Sequence, residues 1–401
     1  MKILYIHQYF KTPQQAGGTR SYEFAKYLVD KGHDVIMIAG SKDIKKRVEY
    51  KVIDNIKVVY IKNEYSNYMS YKKRMLSFLS FAFWSSIEAL KIKKLDLVFA
   101  TSTPLTVAIP ALIVYFFKGI PFAFEVRDLW PEGPIRVGAI RNPLMIRLLL
   151  WFERFVYKRA RKIVALSPGM VNGIIRAGIE PQKVVMIPNS SDTHRFPMNV
   201  QYNGDLLSKY ELDKNSFIIT YMGAMGLANG LEVVVETCKL LQYELKDKNI
   251  LVLLVGDGRE RPRLEKLKNK YGLNNLLFID PIPKARIPEL LSLSDVGLLV
   301  LIPAFDLNSP NKFFDYLAAG KPIISGADGW TQDIIRRNNI GIAVKAGDAK
   351  ALALAMLEMS RMNKEKLKEM GYRSRKVAEE QYDRMKLAKK FEETLCSALI
   401  K

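Results

Sequence analysis

Within one stretch of this 401-residue chain, three kinds of group able to hold a phosphate ester follow one another. After Ser309, Pro310 can stand in the first turn of a helix and leave backbone N–H groups unpaired. Asn311 and Lys312 come next, and Asp315 lies one turn later on the same face. Free amides and a lysine point charge suit a diphosphate, and the carboxylate suits the hydroxyls of a ribose. Gly320-Lys321-Pro322, just beyond, is a sequence that stops a helix and starts a strand. A second candidate is Gly17-Gly18, which ends a loop and opens a helical pattern. The amides and dipole of that helix favour a phosphate or sugar oxygen, and Arg20, one turn in, can reach the same anion. A plain glycine turn accounts for the pair equally well.

Metal chemistry finds little support in the residue types. No Asp-x-Asp occurs, and the three histidines, His7, His33 and His194, have no ligand spacing, so neither a metal nor another cofactor is expected. His33 reads as a turn residue. Charge developing on a phosphate must then be met by Lys312, helix N-termini and loop amides.

Two segments supply the elements that position these residues. Each passes from an apolar β run through a glycine-bearing loop into a helix: residues 2–10, 12–18 and 19–32 in one, residues 216–225, 226–230 and 231–245 in the other. Each then enters another strand, at 34–40 and 249–258, the alternation of parallel sheets covered by helices. Further strands are predicted at 97–100, 121–126, 162–166 and 184–187, and at 276–279, 296–301, 322–325 and 340–344. The polar stretch 189–215 is the expected linker. Beyond Asp348 the pattern is helical, interrupted at Gly371 and Tyr382 before a last helix over 384–397. The chain therefore reads as a first unit over 1–195, a second over 196–380 and a C-terminal helix over 381–401. Ligands of such sheets sit beyond the carboxyl ends of the strands, so two facing units leave a cleft for two substrates.

Bulk properties narrow the class. A chain of 401 residues exceeds the size at which one core stops growing, and 49% hydrophobic with 26% charged residues is a folded composition. Two cysteines without CxxC spacing fit a reducing compartment, and the first residues read as a strand rather than a signal peptide, so a cytoplasmic location is expected. The longest apolar stretch, 104–117, is short of a bilayer span and holds Pro110; a buried helix is the better account. Net charge is the outlier at +21, a field that draws anionic partners. Residues 42–74 hold ten basic and four acidic side chains interleaved with Tyr50, Tyr60, Tyr65, Tyr68 and Tyr71. Residues 141–162 hold seven basic side chains against Glu153. Such bands beside the apolar run 78–84 suit an anionic membrane surface; a solvated lysine-rich face is the plainer alternative.

In combination, several segments resemble glycosyltransferase family 4. Asp315 to Pro322 is similar to that family's E-x-x-A-x-G-x-P segment, with Asp for Glu. Gly32-His33-Asp34-Val35, Val255-Gly256-Asp257-Gly258, Leu166-Ser167 and Ile187-Pro188-Asn189 match further family segments in order. The loop Glu125-Val126-Arg127-Asp128-Leu129-Trp130-Pro131-Glu132 and the loop from Met225 to Leu231 resemble the fucosamine-transferase-like branch, which builds O-antigen or capsular polysaccharide. The resemblance implies a GT-B fold: two facing Rossmann-like domains, an N-terminal acceptor domain and a C-terminal donor domain, with the last helix returning to the first. It implies a retaining, metal-independent transferase that moves a UDP-linked N-acetylated amino sugar onto a lipid-linked saccharide at the inner face of the plasma membrane. Donor contacts are then expected from Gly17, Gly18, Arg20, Met225, Gly256, Ile282, Ser309, Pro310, Asn311, Lys312 and Asp315, and Asp128 is expected to bind and orient the acceptor unless it only caps the turn at Leu129-Trp130.

The chain also departs from the pattern. Ala224 and Asn229 stand where many members carry Arg and Lys for the diphosphate, Leu307 replaces the first acidic residue of the motif, and Arg127 replaces a histidine. A UDP-sugar 2-epimerase on the same architecture would need more acids and bases around one sugar. A nucleic-acid binder, for which no RNP, zinc or helix-turn-helix pattern exists, would leave these segments unexplained, so nucleic acid is not an expected partner.

Overall fold

The computed structural model describes residues 1–400 except 67, 68, 137, 139, 198–209, 211, 214, 248 and 304–307. Runs of Ile, Leu, Val and Phe form the strands of the first unit, and most of them carry no polar alternation because helices cover both faces of a parallel sheet. In chain order they are β1 (Lys2–Ile6), α1 (Arg20–Asp30), β2 (Asp34–Ser41), β3 (Val48–Ile53), β4 (Ile56–Lys62) and α2 (Tyr71–Lys91). There follow β5 (Leu97–Thr101), α3 (Ala108–Lys118), β6 (Phe122–Val126), α4 (Glu132–Arg136), α5 (Pro143–Arg159), β7 (Lys162–Ala165), α6 (Pro168–Arg176) and β8 (Val184–Met186). The sheet order is β3-β4-β2-β1-β5-β6-β7-β8, parallel except where β3 pairs with β4.

That antiparallel hairpin is absent from the sequence reading, which treats 42–74 as a cationic and aromatic band. Its turn is Asp54-Asn55, both at positive φ (48° and 67°), a two-residue connection whose twist matches the strands it joins. The tyrosines are accordingly divided. Tyr60 packs on the core of the sheet, and the Tyr50 hydroxyl donates to Glu88 at 2.7 Å. Tyr68 lies outside the described residues.

The second unit runs β9 (Phe217–Met222), α7 (Glu232–Lys239), β10 (Ile250–Val255), α8 (Arg261–Lys270), β11 (Leu276–Ile279), α9 (Ile287–Ser292) and β12 (Val296–Val300). It continues through α10 (Asn311–Ala318), β13 (Ile323–Gly326), α11 (Trp330–Arg337), β14 (Gly341–Ala343), α12 (Ala349–Ser360) and α13 (Lys364–Gln381). All its strands are parallel, in the order β11-β10-β9-β12-β13-β14, with one apolar layer on each face. Gly371 does not interrupt a helix as expected but sits inside α13. A Cβ there would lie 2.3 Å from the Gly320 carbonyl oxygen, so the glycine lets α13 cross close over the end of α10.

The last helix, α14 (Arg384–Ser397), returns to the first unit. Phe391 is buried against Phe24, Phe99 and Tyr5, at ring separations of 4.6, 4.8 and 6.3 Å. The two crossings between the units run side by side: Ser191 N–H donates to the Tyr382 carbonyl at 2.8 Å, and Arg384 N–H donates to the Ser191 carbonyl at 3.0 Å. Glu23, Asp192, Arg195 and Arg384 pin that seam with ion pairs of 2.5 to 3.2 Å. Much of the expected linker, 198–209, lies outside the described residues. The buried helix expected within 104–117 is α3, and among the described residues no helix is long and apolar enough to cross a membrane. In each sheet the strand order diverges at one strand, β1 and β9, and the cleft opens beyond the carboxyl ends at those two points.

Candidate active site in the interdomain cleft

The cleft holds about 640 Å³, within the range of small-molecule sites, and both units line it. From the second unit come the loops after β9, β10 and β11 and the start of α10. Pro310 is the residue before α10 rather than part of its first turn: its ψ of 123° is extended, and the helix starts at Asn311. The amides of Asn311 and Lys312 have no preceding helical carbonyl to bond, so the sequence reading of an open N-terminus holds one residue later.

Lys312 points inward from α10. Its Nζ donates to the Tyr221 hydroxyl at 3.1 Å and to Asn229 Oδ1 at 3.4 Å, and it lies 4.2 Å from the centre of the Tyr221 ring. Among the described residues its hydrogen-bond partners are neutral, and burial pulls its pKa down from 10.5 to about 7. A cation placed at reduced charge among neutral partners is a site whose missing partner is an anion. The loop residue Asn229 thus meets the same point in space that Lys312 reaches from the helix.

Asp315, one turn on, also lines the cleft, but its carboxylate is not paired with Lys312. Both its oxygens accept from Lys284 Nζ at 2.5 Å. Lys284 belongs to the loop after β11, where its backbone N–H donates to the Gln15 carbonyl at 3.3 Å and Ala285 N–H donates to the Pro13 carbonyl at 3.1 Å. Ile282 and Gly256 border the same space. Ser309 ties the units together, its carbonyl accepting from Asn189 Nδ2 at 2.6 Å.

Facing this, the first unit presents the loops after β1, β5 and β6. Gly17 and Gly18 lie at the cleft wall, and Gly18 comes closest to the other unit: an ideal Cβ on it would be 2.9 Å from Asn311 Nδ2. Arg127 Nη1 donates to His7 Nε2 at 3.2 Å, and His7 is held well below its ordinary pKa by burial and then by this guanidinium. Asp128 is among the residues lining the cleft; burial raises its pKa, against the opposing pull of Arg127 and of the Thr103 hydroxyl, which donates to it at 3.1 Å.

Two expected donor contacts are corrected. Arg20 is buried and fully engaged: its guanidinium pairs with Glu125 at 2.8 Å and donates to the Ile187 and Pro188 carbonyls, so it braces β6 against the first crossing instead of meeting an anion. The side chain of Met225 is wholly buried in the core of the second unit. Leu307 and its flanking Asp306 lie outside the described residues. His33 is structural, its ring bonded to Glu392 of α14 at 2.8 Å and to the N-terminal amine at 3.1 Å. Lys284 went unseen in the sequence because no motif marks it; only its place just after a strand end signals it. The remaining predicted residues, Gly17, Gly18, Asp128, Gly256, Ile282, Ser309, Pro310, Asn311, Lys312 and Asp315, share the one cleft.

Comparison with known proteins agrees with this fold. The model described as "Glycosyltransferase Family 4" matches residues 17–195, and that described as "Glycosyl transferases group 1" matches residues 205–377. WcaI of Escherichia coli (strain K12), named as a colanic acid biosynthesis glycosyl transferase, is 25% identical over 352 residues, which are 83% of this chain and 84% of that protein. The sucrose-phosphate synthase of Thermosynechococcus elongatus superposes with a TM-score of 0.78 at 16% identity, over 98% of this chain and 97% of the other. Anabaena HepE, solved in complex with UDP-glucose, does so at 0.74 and 16% identity, over 99% of this chain and all of that one.

Proposed function

The chain belongs to glycosyltransferase family 4, and from that premise we propose that it moves a sugar from a UDP-sugar held by the second unit onto a lipid-linked saccharide presented to the first. The observation that carries this reading is Lys312, a buried lysine at a helix N-terminus with neutral partners only, at the head of the cleft. A donor diphosphate there restores its full charge and meets the free amides of α10. Asp315, held in place by Lys284, takes the ribose hydroxyls on the remaining lone pairs of its carboxylate. The sugar then points toward Asp128, which receives the acceptor. Retention of configuration follows if the departing phosphate oxygen takes the acceptor proton on the same face, and no metal is needed where Lys312 and the amides meet the charge. The donor is an N-acetylated amino sugar on this reading, supported by the loops 125–132 and 225–231. Involvement in polysaccharide biosynthesis is supported by the likeness to WcaI, whose name places it in colanic acid biosynthesis.

The acceptor's lipid is supported by an apolar face on the first unit. Leu76, Leu79 and Phe83 of α2, Phe116 and Phe117 of α3, and Leu144, Leu148 and Trp151 of α5 are exposed, with Phe117 and Leu144 each 78% accessible. Stacked rings join the last two helices, Phe116 on Phe155 at 6.3 Å and Trp151 on Phe155 at 5.5 Å, and Arg159 lies over Phe155 at 5.4 Å. From the cleft, Tyr9 contacts Tyr65 at 4.6 Å and Tyr65 stacks on Phe78 of α2 at 5.9 Å, so a ring path leads from the site to this face. Exposed apolar groups among cations suit the anionic inner surface of a membrane.

Thermal stabilisation across UDP-, GDP- and ADP-sugars, with and without EDTA, tests the reading. UDP compounds should stabilise the chain equally in both conditions. A response confined to another nucleotide would change the donor, loss of the response in EDTA would refute metal independence, and no response at all would overturn the proposal.

A further inference from the structure

Leaving-group charge in this cleft is shared unevenly between the units. A nucleoside diphosphate carries at least two negative charges, yet among the described residues lining the cleft the second unit supplies one cation without a carboxylate partner, Lys312; Lys284 is committed to Asp315, and positions 224 and 229 are Ala and Asn. Across the cleft stands Arg127. Among the described residues, its side chain hydrogen-bonds to the ring of His7, and its charge also acts on the neighbouring Asp128; neither contact takes up all five of its donors. His7 is the acceptor in that contact, so its proton sits on Nδ1, which is buried and without a partner. Gly18 lies between the guanidinium and the start of α10. A Cβ built there would lie 2.9 Å from Asn311 Nδ2 and 3.8 Å from Arg127 Nη2, so a single point separates the start of α10 from the arginine. The backbone at Gly18 is not in the left-handed region, and what the glycine contributes is empty space. Lys11 also borders the cleft, but it is exposed and its charge is screened.

We propose that Arg127 is a catalytic residue that reaches through the gap left by Gly18 and binds the outer phosphate of the leaving nucleoside diphosphate, so that the two domains each supply one cation to it. In the transfer the bond from the anomeric carbon to the outer phosphate oxygen breaks and its electron pair stays on that oxygen. The acceptor hydroxyl oxygen bonds to the carbon and its proton passes to the departing phosphate. Arg127 stabilises the oxygen that gains charge, while Lys312 and the amides of α10 hold the diphosphate throughout.

This rests on the transferase reading, and binding of UDP and UMP separates the two. Calorimetry on the wild-type chain establishes that a uridine nucleotide is bound at all; no binding of either would remove the reading and the proposal with it. With binding established, Arg127→Gln should weaken UDP about tenfold or more, the worth of one charge-assisted hydrogen bond, while UMP stays within about twofold. Arg127→Lys should restore part of the loss. In turnover, Arg127→Gln should lower kcat more than it raises the donor KM. Gly18→Ala, whose methyl meets Asn311 Nδ2 at 2.9 Å and Arg127 Nη2 at 3.8 Å, should weaken UDP more than UMP while the arginine keeps its charge. Equal affinities for UDP in wild type and Arg127→Gln would overturn the assignment, as would equal losses of UDP and UMP, the mark of a merely structural role. A loss seen only in the acceptor KM would move Arg127 to the acceptor.

Discussion

Raising the pH should weaken donor binding while it stabilises the fold without donor, because the binding cation is about half neutral at pH 7 before the diphosphate arrives. Lys312 lies near pKa 7 when empty, against 10.5 for a free lysine. At pH 8 it is about one-tenth protonated, so binding a diphosphate that demands the charged form takes up about 0.9 proton, and at pH 6 only about 0.1. The association constant of a UDP-sugar, whose diphosphate does not titrate here, should fall about fivefold from pH 7 to 8 and about ninefold from pH 8 to 9. Stability of the empty chain runs the other way. The unfolded lysine holds its proton up to 10.5 and the folded one loses it above about 7, so this group makes the fold more stable as pH rises through that window. Calorimetry at pH 8 in buffers of different ionisation enthalpy reads the proton count as the slope of the binding enthalpy. Lys312→Arg, charged at every pH used, should abolish the slope. A wild-type enthalpy independent of the buffer at pH 8 would refute the assignment of Lys312 as a neutralised cation awaiting its anion.

Three other outcomes follow from the same geometry. Asp315→Asn removes a charged acceptor for the ribose and should weaken UDP about tenfold in a direct titration while UDP-sugar turnover at saturating donor is kept; unchanged affinity would remove the ribose role. Glu125→Gln leaves the buried Arg20 guanidinium uncompensated and should cost about 3–5 kcal/mol in denaturant unfolding, against less than about 1 kcal/mol for the exposed pair Arg263–Glu232; equal small losses would mean that Arg20 is not a brace. Replacing Phe117 and Trp151 together by Ser should lower cosedimentation with phosphatidylglycerol vesicles about tenfold or more, since each exposed ring is worth about 1.5–3 kcal/mol when buried; retained binding would favour a plain solvated face.

Periodicity and turn residues carry the fold well here. Apart from β9 and β10, whose predicted runs continue three residues too far into the glycine loops, the strands after β4 fall within about a residue of their predicted limits because buried parallel strands are continuous apolar runs, and α14 matches its predicted span since Asp383 caps it. The hairpin β3–β4 escapes notice because Val48–Ile53 alternates with Glu49 and Lys51 on an exposed edge, which looks like a charged band when strand pairing is unknown. The site is legible where position along the chain equals position in space, as on α10. It fails where partners come from far away. Arg20 looks like an anion ligand until Glu125, more than a hundred positions later, takes it, and Lys284 gains meaning only when the loop after β11 arrives beside Asp315. Local sequence states which groups exist, and only packing states which are already spoken for.

Two parallel crossings, joined by the hydrogen bonds of Ser191 with Tyr382 and Arg384, make the link between the domains a door hung on two pins rather than a ball on a string. A single tether permits twist and swing alike; two adjacent crossings clamped by Glu23, Asp192, Arg195 and Arg384 oppose twist, so any movement of one domain against the other is steered toward rotation about the line of the seam. Such a link keeps Lys312 and Arg127, which belong to different domains, in one register across the cleft.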